Sequence, residues 1–314
     1  MGWPVFCAGP HAGLRCAPAH LAPHGVRSVP GLGFQFAAYT ANRPMPMPLT
    51  RRQWLPLIPL WLWTGVGAQA FDHGYAAWDA LLRKHVRWLP DHKQSRVVYA
   101  GLLADRAALR SVLDGFSALT PQGFAGFSRT QQMAFLINAY NAFTIELVLT
   151  EYPKLKSIKD LGSIVRSPWK KPFFALLGET RNLDWIEHEQ LRARYQEPHI
   201  HTAIVCASIG CPALKPQAYT AQQLDEQLED GMRRFMGDRT RNRAGAGKLE
   251  VSSIFKWFRD DFEQGHQGYR QLADVFARYA TQLSDDPAVQ AQLKAGQLKP
   301  EFLDYDWSLN DAAA

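Results

Sequence analysis

The sequence predicts an α+β protein, with a helical N-terminal half packed on a small, largely antiparallel sheet; a papain-like or transglutaminase-like arrangement is one form of that class. Three observations carry it. From Phe71 to about Leu119 apolar residues recur at spacings of three and four, and a long segment after Ser128 is apolar nearly all round. The second half then breaks into short extended stretches between turns.

Trp78, Leu81, Leu82, Val86 and Leu89 mark a first helix, and Leu102, Leu103, Leu109 and Leu113 a second that follows Ser95. Ser128 with Gln131 three residues later forms a capping box, which predicts a helix running to Tyr152 before Pro153. Its lack of a polar face predicts burial. Residues 173–177 and 180–183 flank Gly178 and Glu179 as a β-hairpin. Asp184 and Glu187 are expected to cap a helix over 185–194, and His201, with Thr, Ala, Ile and Val between it and Cys206, starts a short buried strand. Thr220 and Gln223 open an amphipathic helix through Leu224, Leu228, Met232 and Phe235. A strand is expected at 249–251, helices at 254–262, 269–281 and 287–295, and a last strand at 302–310.

The 314 residues are 46% hydrophobic and 20% charged, enough for a sizeable core. The formal charge of +6 suggests a polyanion partner until it is located. Five of the 35 basic residues (Arg15, Arg27, Arg43, Arg51, Arg52) and none of the 29 acidic ones lie in residues 1–70. The rest of the chain holds 30 basic against 29 acidic residues, so a nucleic-acid partner is not expected.

Arg51 and Arg52 precede an apolar run at 54–63 and then Ala68-Gln-Ala70, the order of a secretory signal peptide with cleavage after Ala70. The run is too short and too broken by proline for a stable membrane span. TRRQWL at 50–55 resembles a twin-arginine signal, so the export route stays open. Because a signal peptide begins a protein, Met45 or Met47 is the expected start. Residues 1–44 are then a gene-model extension or a disordered one, 45–70 the signal peptide, and 71–314 a single α+β domain in the periplasm or secreted.

The most informative residues are two cysteines five apart, Cys206 and Cys211, with His199 and His201 just before them and a Gly-Pro-containing turn at their end. A nucleophilic thiol needs a base to lower its pKa and a third group to orient that base. Five positions along a strand place His201 and Cys206 on opposite faces, so they pair only across a bulge or twist. His188 can approach from another element, with Glu187 or an asparagine as orienter. An exported chain whose only thiols after the leader are these two also invites a Cys206–Cys211 disulfide. A metal site from His199, His201 and the thiolates lacks the usual ligand spacing, and a dithiol that cycles with its disulfide lacks the usual C-x-x-C. Asn138 and Asn141 share a stripe of the buried helix, where they either tie down loops or orient a catalytic histidine or oxyanion. Trp257, Phe258 and Phe262 read as core. His266 and the arginines at 233, 234, 239, 241 and 243 read as solvated, and Asp306 as a partner for a loop cation.

FLINAYNA at 135–142, LDWIEH at 183–188, HTAIVCASIGCPAL at 201–214, SSIFKWFRDDF at 252–262 and LDYDWSLN at 303–310 together resemble the bacterial members of the domain-of-unknown-function family DUF547. The resemblance runs over about 115–310. It implies that Asn138, Asn141, His188, His201 and Cys206 fall on family motif positions, and that the position of Cys211 is serine in plant members, which singles out Cys206. It implies no reaction. The reading that follows is a cysteine hydrolase or acyltransferase on amide or ester bonds of a small-molecule or peptide substrate. Cys206 is its nucleophile, His201 or His188 its base, and Asn138, Asn141 or Glu187 the supporting groups; no cofactor or metal is expected. The competing readings are a noncatalytic envelope binding protein with a structural disulfide and a thiol-redox or metal-binding protein.

Overall fold

The computed structural model describes residues 70–163, 167–245 and 247–312. The extension and signal segment expected at 1–70 lie outside the described residues except for Ala70. The unit that contains the described residues spans Gly65–Ala314.

Trp78, Leu81 and Leu82 form the inward face of α1 (Ala76–His85). The chain then departs from the helix expected through Leu89. Pro90 cannot continue it, and Val86 begins a hairpin, β1 (Val86–Trp88) against β2 (Ser95–Val97). The next apolar stripe is divided between α2 (Tyr99–Ala104) and α3 (Arg106–Ser117). They break at Asp105, which holds His85 at 2.7 Å and Lys84 at 2.6 Å. α4 (Pro121–Ala125) is capped by Thr120.

α5 (Arg129–Leu149) is the predicted central helix, and its capping box is formed: Ser128 Oγ accepts from the Gln131 N–H at 3.2 Å and Gln131 Oε1 from the Ser128 N–H at 2.8 Å. All of its residues from Met133 to Ile145 are buried. A helix that is apolar all round satisfies its own backbone and can be packed on every side.

The hairpin β3 (Phe174–Leu176) and β4 (Glu179–Arg181) turns one residue earlier than expected, at Leu177 and Gly178, with φ 51° and 81°. A π-helix, Trp185–Arg192, follows. Asp184 and Glu187 do not cap it; Asn182 Oδ1 accepts from the Trp185 N–H at 2.8 Å, and Glu187 turns into the interior.

The buried strand expected at 201–206 is instead a 3-10 turn, Pro198–Thr202, followed by irregular chain. Pro198 sits in its first turn and Glu197 accepts from the His199 N–H at 2.9 Å, so a helical start is imposed locally. The strand-like hydrogen bonds of 203–205 go to a side chain, Asn141.

α6 (Leu224–Met236) joins the two apolar cores. Leu224 and Leu228 belong to the one around α5, and Met232, Phe235 and Met236 to the one built by the C-terminal helices. The last sheet has the order β5 (Arg243–Gly245), β6 (Lys248–Ser252), β7 (Pro300–Leu303), with β5–β6 antiparallel and β6–β7 parallel.

Between β6 and β7 the first two of the three expected helices are divided in two, α7 (Ile254–Trp257) and α8 (Arg259–Glu263), α9 (Leu272–Arg278) and α10 (Ala280–Leu283), while α11 (Pro287–Lys294) is whole. The breaks fall at Phe258 and Tyr279, whose φ/ψ (−112°/26° and −103°/26°) leave the helical region. The class is therefore α+β with mostly antiparallel pairing, but among the described residues the strands make three separate small sheets rather than one. Among the described residues no helix is long and apolar enough to cross a membrane.

Candidate functional site

The expected final strand ends at Leu303, because the residues after it pair with the cysteine loop instead of the sheet. Gly210 N–H donates to Asp306 O at 2.8 Å, Ile209 N–H to Ser308 O at 2.8 Å, and Asn310 N–H to Ala207 O at 3.0 Å, with Ser208 and Leu309 bridged antiparallel. A Cβ on Gly210 would lie 2.9 Å from the Tyr305 ring and 3.0 Å from Asp306 O, so only glycine permits this approach. Arg241 closes the loop from the other side, donating to the carbonyls of Ile209 (2.9 Å) and Cys211. It is anchored by the buried Asp238 and is not the solvated residue its neighbours suggested. Those neighbours also have acidic partners: Arg233 with Glu229, Arg234 with Asp230, Arg239 with Asp285 and Arg243 with Glu250.

Cys206 Sγ and Cys211 Sγ lie 2.7 Å apart. That is longer than the covalent bond of about 2.05 Å, and both cysteines are free. Ala207, at φ 62°, reverses the chain between them. Cys211 is buried and gathers donors: the Cys206 backbone N–H at 3.0 Å and the Tyr305 hydroxyl at 3.1 Å. Cys206, partly exposed, has Ser208 Oγ at 3.5 Å and Tyr305 Oη at 3.3 Å.

The two thiols therefore titrate apart. Burial pushes the Cys206 thiol well above its ordinary value, and the adjacent Cys211 sulfur adds to the rise. Burial also acts to raise Cys211, but hydrogen bonds from the Cys206 thiol, the Tyr305 hydroxyl and the backbone N–H groups of Cys206 and Ser208 outweigh it, and the net shift is downward. Of the two sulfurs, Cys211 is therefore the one whose thiolate the surroundings favour, with the Cys206 thiol beside it as a donor. Tyr305 stays a neutral donor, since burial and the two sulfurs raise it well above its usual range.

The histidines form a second centre. His201 Nε2 hydrogen-bonds Asp261 Oδ2 at 2.7 Å, and its ring stacks on Phe258 at 3.9 Å and 20°. Arg192 grips the same carboxylate through Nε (2.6 Å) and Nη2 (3.0 Å), and its Nη1 lies 3.1 Å from His188 Nδ1. Burial opposes ionisation of Asp261, yet the hydrogen bonds and charges of His201 and Arg192 hold its carboxyl far below the usual carboxylate range. Burial lowers His188, and Arg192 adds to that; Asp184, 3.9 Å away, opposes it. Glu187 is raised by burial and accepts from the Tyr140 hydroxyl at 3.2 Å.

Each expected site residue thus has a defined place. Cys206 and Cys211 are together. His201, His188 and Glu187 share a network, but among the described residues the hydrogen-bond partners of Cys206 Sγ are Cys211, Ser208 and Tyr305, with no imidazole. Asn141 clamps the approach to Cys206, donating to Ala203 O at 2.9 Å and accepting from the Val205 N–H at 2.9 Å. Asn138 makes the same paired contact with the backbone of Tyr219, at 2.7 and 3.0 Å. His199 turns to Tyr269 at 3.0 Å, away from His201, and among the described residues no group of three or more His, Cys, Asp or Glu side chains could hold a metal ion.

Tyr305 and Asp261 complete the two centres and were not singled out by sequence reasoning. Both sit in segments that carry the family resemblance, which was the available signal. Trp257, expected in the core, is 40% exposed because Ile254 and Phe255 take the inward face of α7.

Fold and site together define an α+β protein with a paired-thiol loop clamped by its own C-terminal segment. Residues 124–236 match the family described as "Protein of unknown function, DUF547", and the match supports that family for this segment. The span includes Asn138, Asn141, Glu187, His188, His201 and both cysteines, whereas Asp261 and Tyr305 come from beyond it. No curated protein and no solved structure matches the chain.

Proposed function

We propose that Cys206 and Cys211 form a thiol–disulfide exchange couple. The observation that carries this reading is the 2.7 Å sulfur separation, with one hydroxyl, that of Tyr305, on both sulfurs. A proton passes from Cys206 to Cys211, and the Cys206 thiolate attacks a substrate disulfide R–S–S–R′. A mixed disulfide with R forms and R′S⁻ leaves, taking the proton from Cys211. The Cys211 thiolate then attacks Cys206 Sγ, closes the intramolecular bond and expels RS⁻, which is protonated by water. The two cysteines lose two electrons and the substrate disulfide gains them; the reverse reaction oxidises a substrate dithiol. The signal-like segment at 45–70 supports placing the couple in an oxidising compartment, the periplasm or outside the cell.

The test is equilibration of the folded protein in glutathione buffers of graded potential, followed by acid quench, alkylation and mass measurement. A Cys206–Cys211 bond that forms and breaks reversibly in the native state supports the couple. A bond that yields only after denaturation makes it a structural disulfide and overturns the proposal. Thiols that never pair, with Cys206 alone alkylated rapidly or acylated by an activated ester, overturn it in favour of a cysteine hydrolase or acyltransferase. That chemistry would require His201 to leave Asp261, or His188 to leave Arg192, for the sulfur.

A further inference from the structure

Trp257 closes α7 with its ring 40% exposed; among the described residues Leu103 is the other large apolar side chain left open, at 36%. The Trp257 ring stacks on Trp307 at 5.7 Å and 25° and lies 4.9 Å from Tyr305, while Tyr305 and Trp307 are 4.4 Å apart. Three aromatic rings thus form one continuous surface from solvent to the sulfurs, because the innermost, Tyr305, has its hydroxyl on both thiols. The flanking charges are balanced. Lys159 lies over Trp307 at 4.9 Å, and Lys256 is exposed beside Trp257; Asp304 and Asp306, also exposed, flank Tyr305. A rim of two cations and two anions favours neither a polyanionic nor a polycationic ligand, and an exposed tryptophan beside a reacting group marks an apolar contact.

We propose that this aromatic surface seats an apolar or aromatic side chain neighbouring the reacting cysteine of a polypeptide substrate. The proposal rests on the thiol–disulfide reading, and it makes unfolded or extended protein segments, rather than small thiols, the partners of the couple. The rings are contiguous with Cys206, so a chain that delivers its sulfur there lies across them. A small disulfide has nothing to place on them.

The experiment has a kinetic and a binding arm, both on the full chain. Exchange is followed with two short peptides, each in mixed disulfide with glutathione and differing in Phe or Gly beside the cysteine. The expected result is a Phe-to-Gly rate ratio of about five to ten, as one aromatic contact supplies. The ratio falls to about one in Trp257→Ala and is restored in Trp257→Phe. A ratio that is unchanged in Trp257→Ala overturns the proposal.

In the binding arm, Cys206→Ser protein is titrated with the Phe peptide carrying Ser for Cys, and tryptophan fluorescence is read. Quenching accompanied by a binding heat in calorimetry that is lost when Trp257→Ala is added and kept with Trp257→Phe supports the surface. Quenching by a neutral oligosaccharide but not by the peptide overturns it. If neither disulfide exchanges yet the peptide still quenches, the thiol–disulfide reading has failed while the peptide surface stands. If both disulfides exchange equally and no quenching occurs, the surface has failed and the couple stands.

Discussion

The thiol loop and the histidine network hang from the same helix, yet opposite forces hold them. Asn141 of α5 pins the backbone at 203–205 that leads to Cys206, and Tyr140, one position earlier, reaches Glu187 beside the network. The network is an ion-pair structure. Asp261 is gripped by Arg192 and His201 together, with side-chain exposures of 18%, 27% and 1%. The thiol loop is a backbone structure, fixed by strand-like pairing with 306–310 and by Arg241 on two carbonyls. Its side chains at the sulfurs carry little of the fold. Removing a charge from the first region therefore leaves other charges buried and unpaired, while changing a sulfur in the second leaves the loop in place. Reactive groups are affordable where backbone does the holding.

The comparison breaks first, if it is wrong, at Asp261. Asp261→Ala strands Arg192 and His201 and should destabilise the protein by about 3–5 kcal/mol, measured by urea unfolding; a loss below about 1 kcal/mol would remove the distinction between the regions. The acid limb refines this. Because the folded carboxyl is held below its unfolded value of about 3.9, its stabilisation is complete above that value and is lost as pH falls toward the folded one. The gap between the native protein and Asp261→Asn should narrow as pH falls below about 4.

Asn141→Ala leaves the Ala203 carbonyl and the Val205 N–H without partners, at a cost of about 2–3 kcal/mol. Its loss should also loosen the approach to Cys206, so hydrogen exchange of the Val205 amide should rise in parallel. Gly210→Ala drives a methyl into the Tyr305 ring and the Asp306 carbonyl, which costs about 1–3 kcal/mol. Thermal unfolding measures the cost, and a faster alkylation of Cys206 would report that Tyr305 has moved. Smallest of all, Cys211→Ser should change stability by less than about 1 kcal/mol, since its carbonyl and N–H keep their partners and only the sulfur changes. In Tyr305→Phe the thiolate of Cys211 loses one donor, so its alkylation should begin at higher pH than in the native protein.

Much of this molecule is written locally. The capping box at Ser128 and the unbroken apolar run behind it specify α5, and glycine at 178 specifies the β3–β4 turn. These features are readable because each depends on residues within one turn of each other. The helices split at Phe258 and Tyr279 and the hairpin at Val86 were less legible, since packing decided between nearly equal local choices. The site divides the same way. The sequence isolated Cys206, Cys211 and the asparagines, but it left the base open between His201 and His188, and neither is a hydrogen-bond partner of the Cys206 sulfur.

The α+β class, the buried central helix and the pair of cysteines were determined by the sequence alone, through hydrophobic period, capping and turn chemistry. Only the tertiary structure decided who faces whom. It placed Asp261, sixty residues on, against His201 and brought Tyr305, ninety-nine residues on, to Cys206. Hydrogen bonds and ion pairs between distant segments leave no periodic trace in the chain. They form only once the cores around α5 and the C-terminal helices have set the segments side by side.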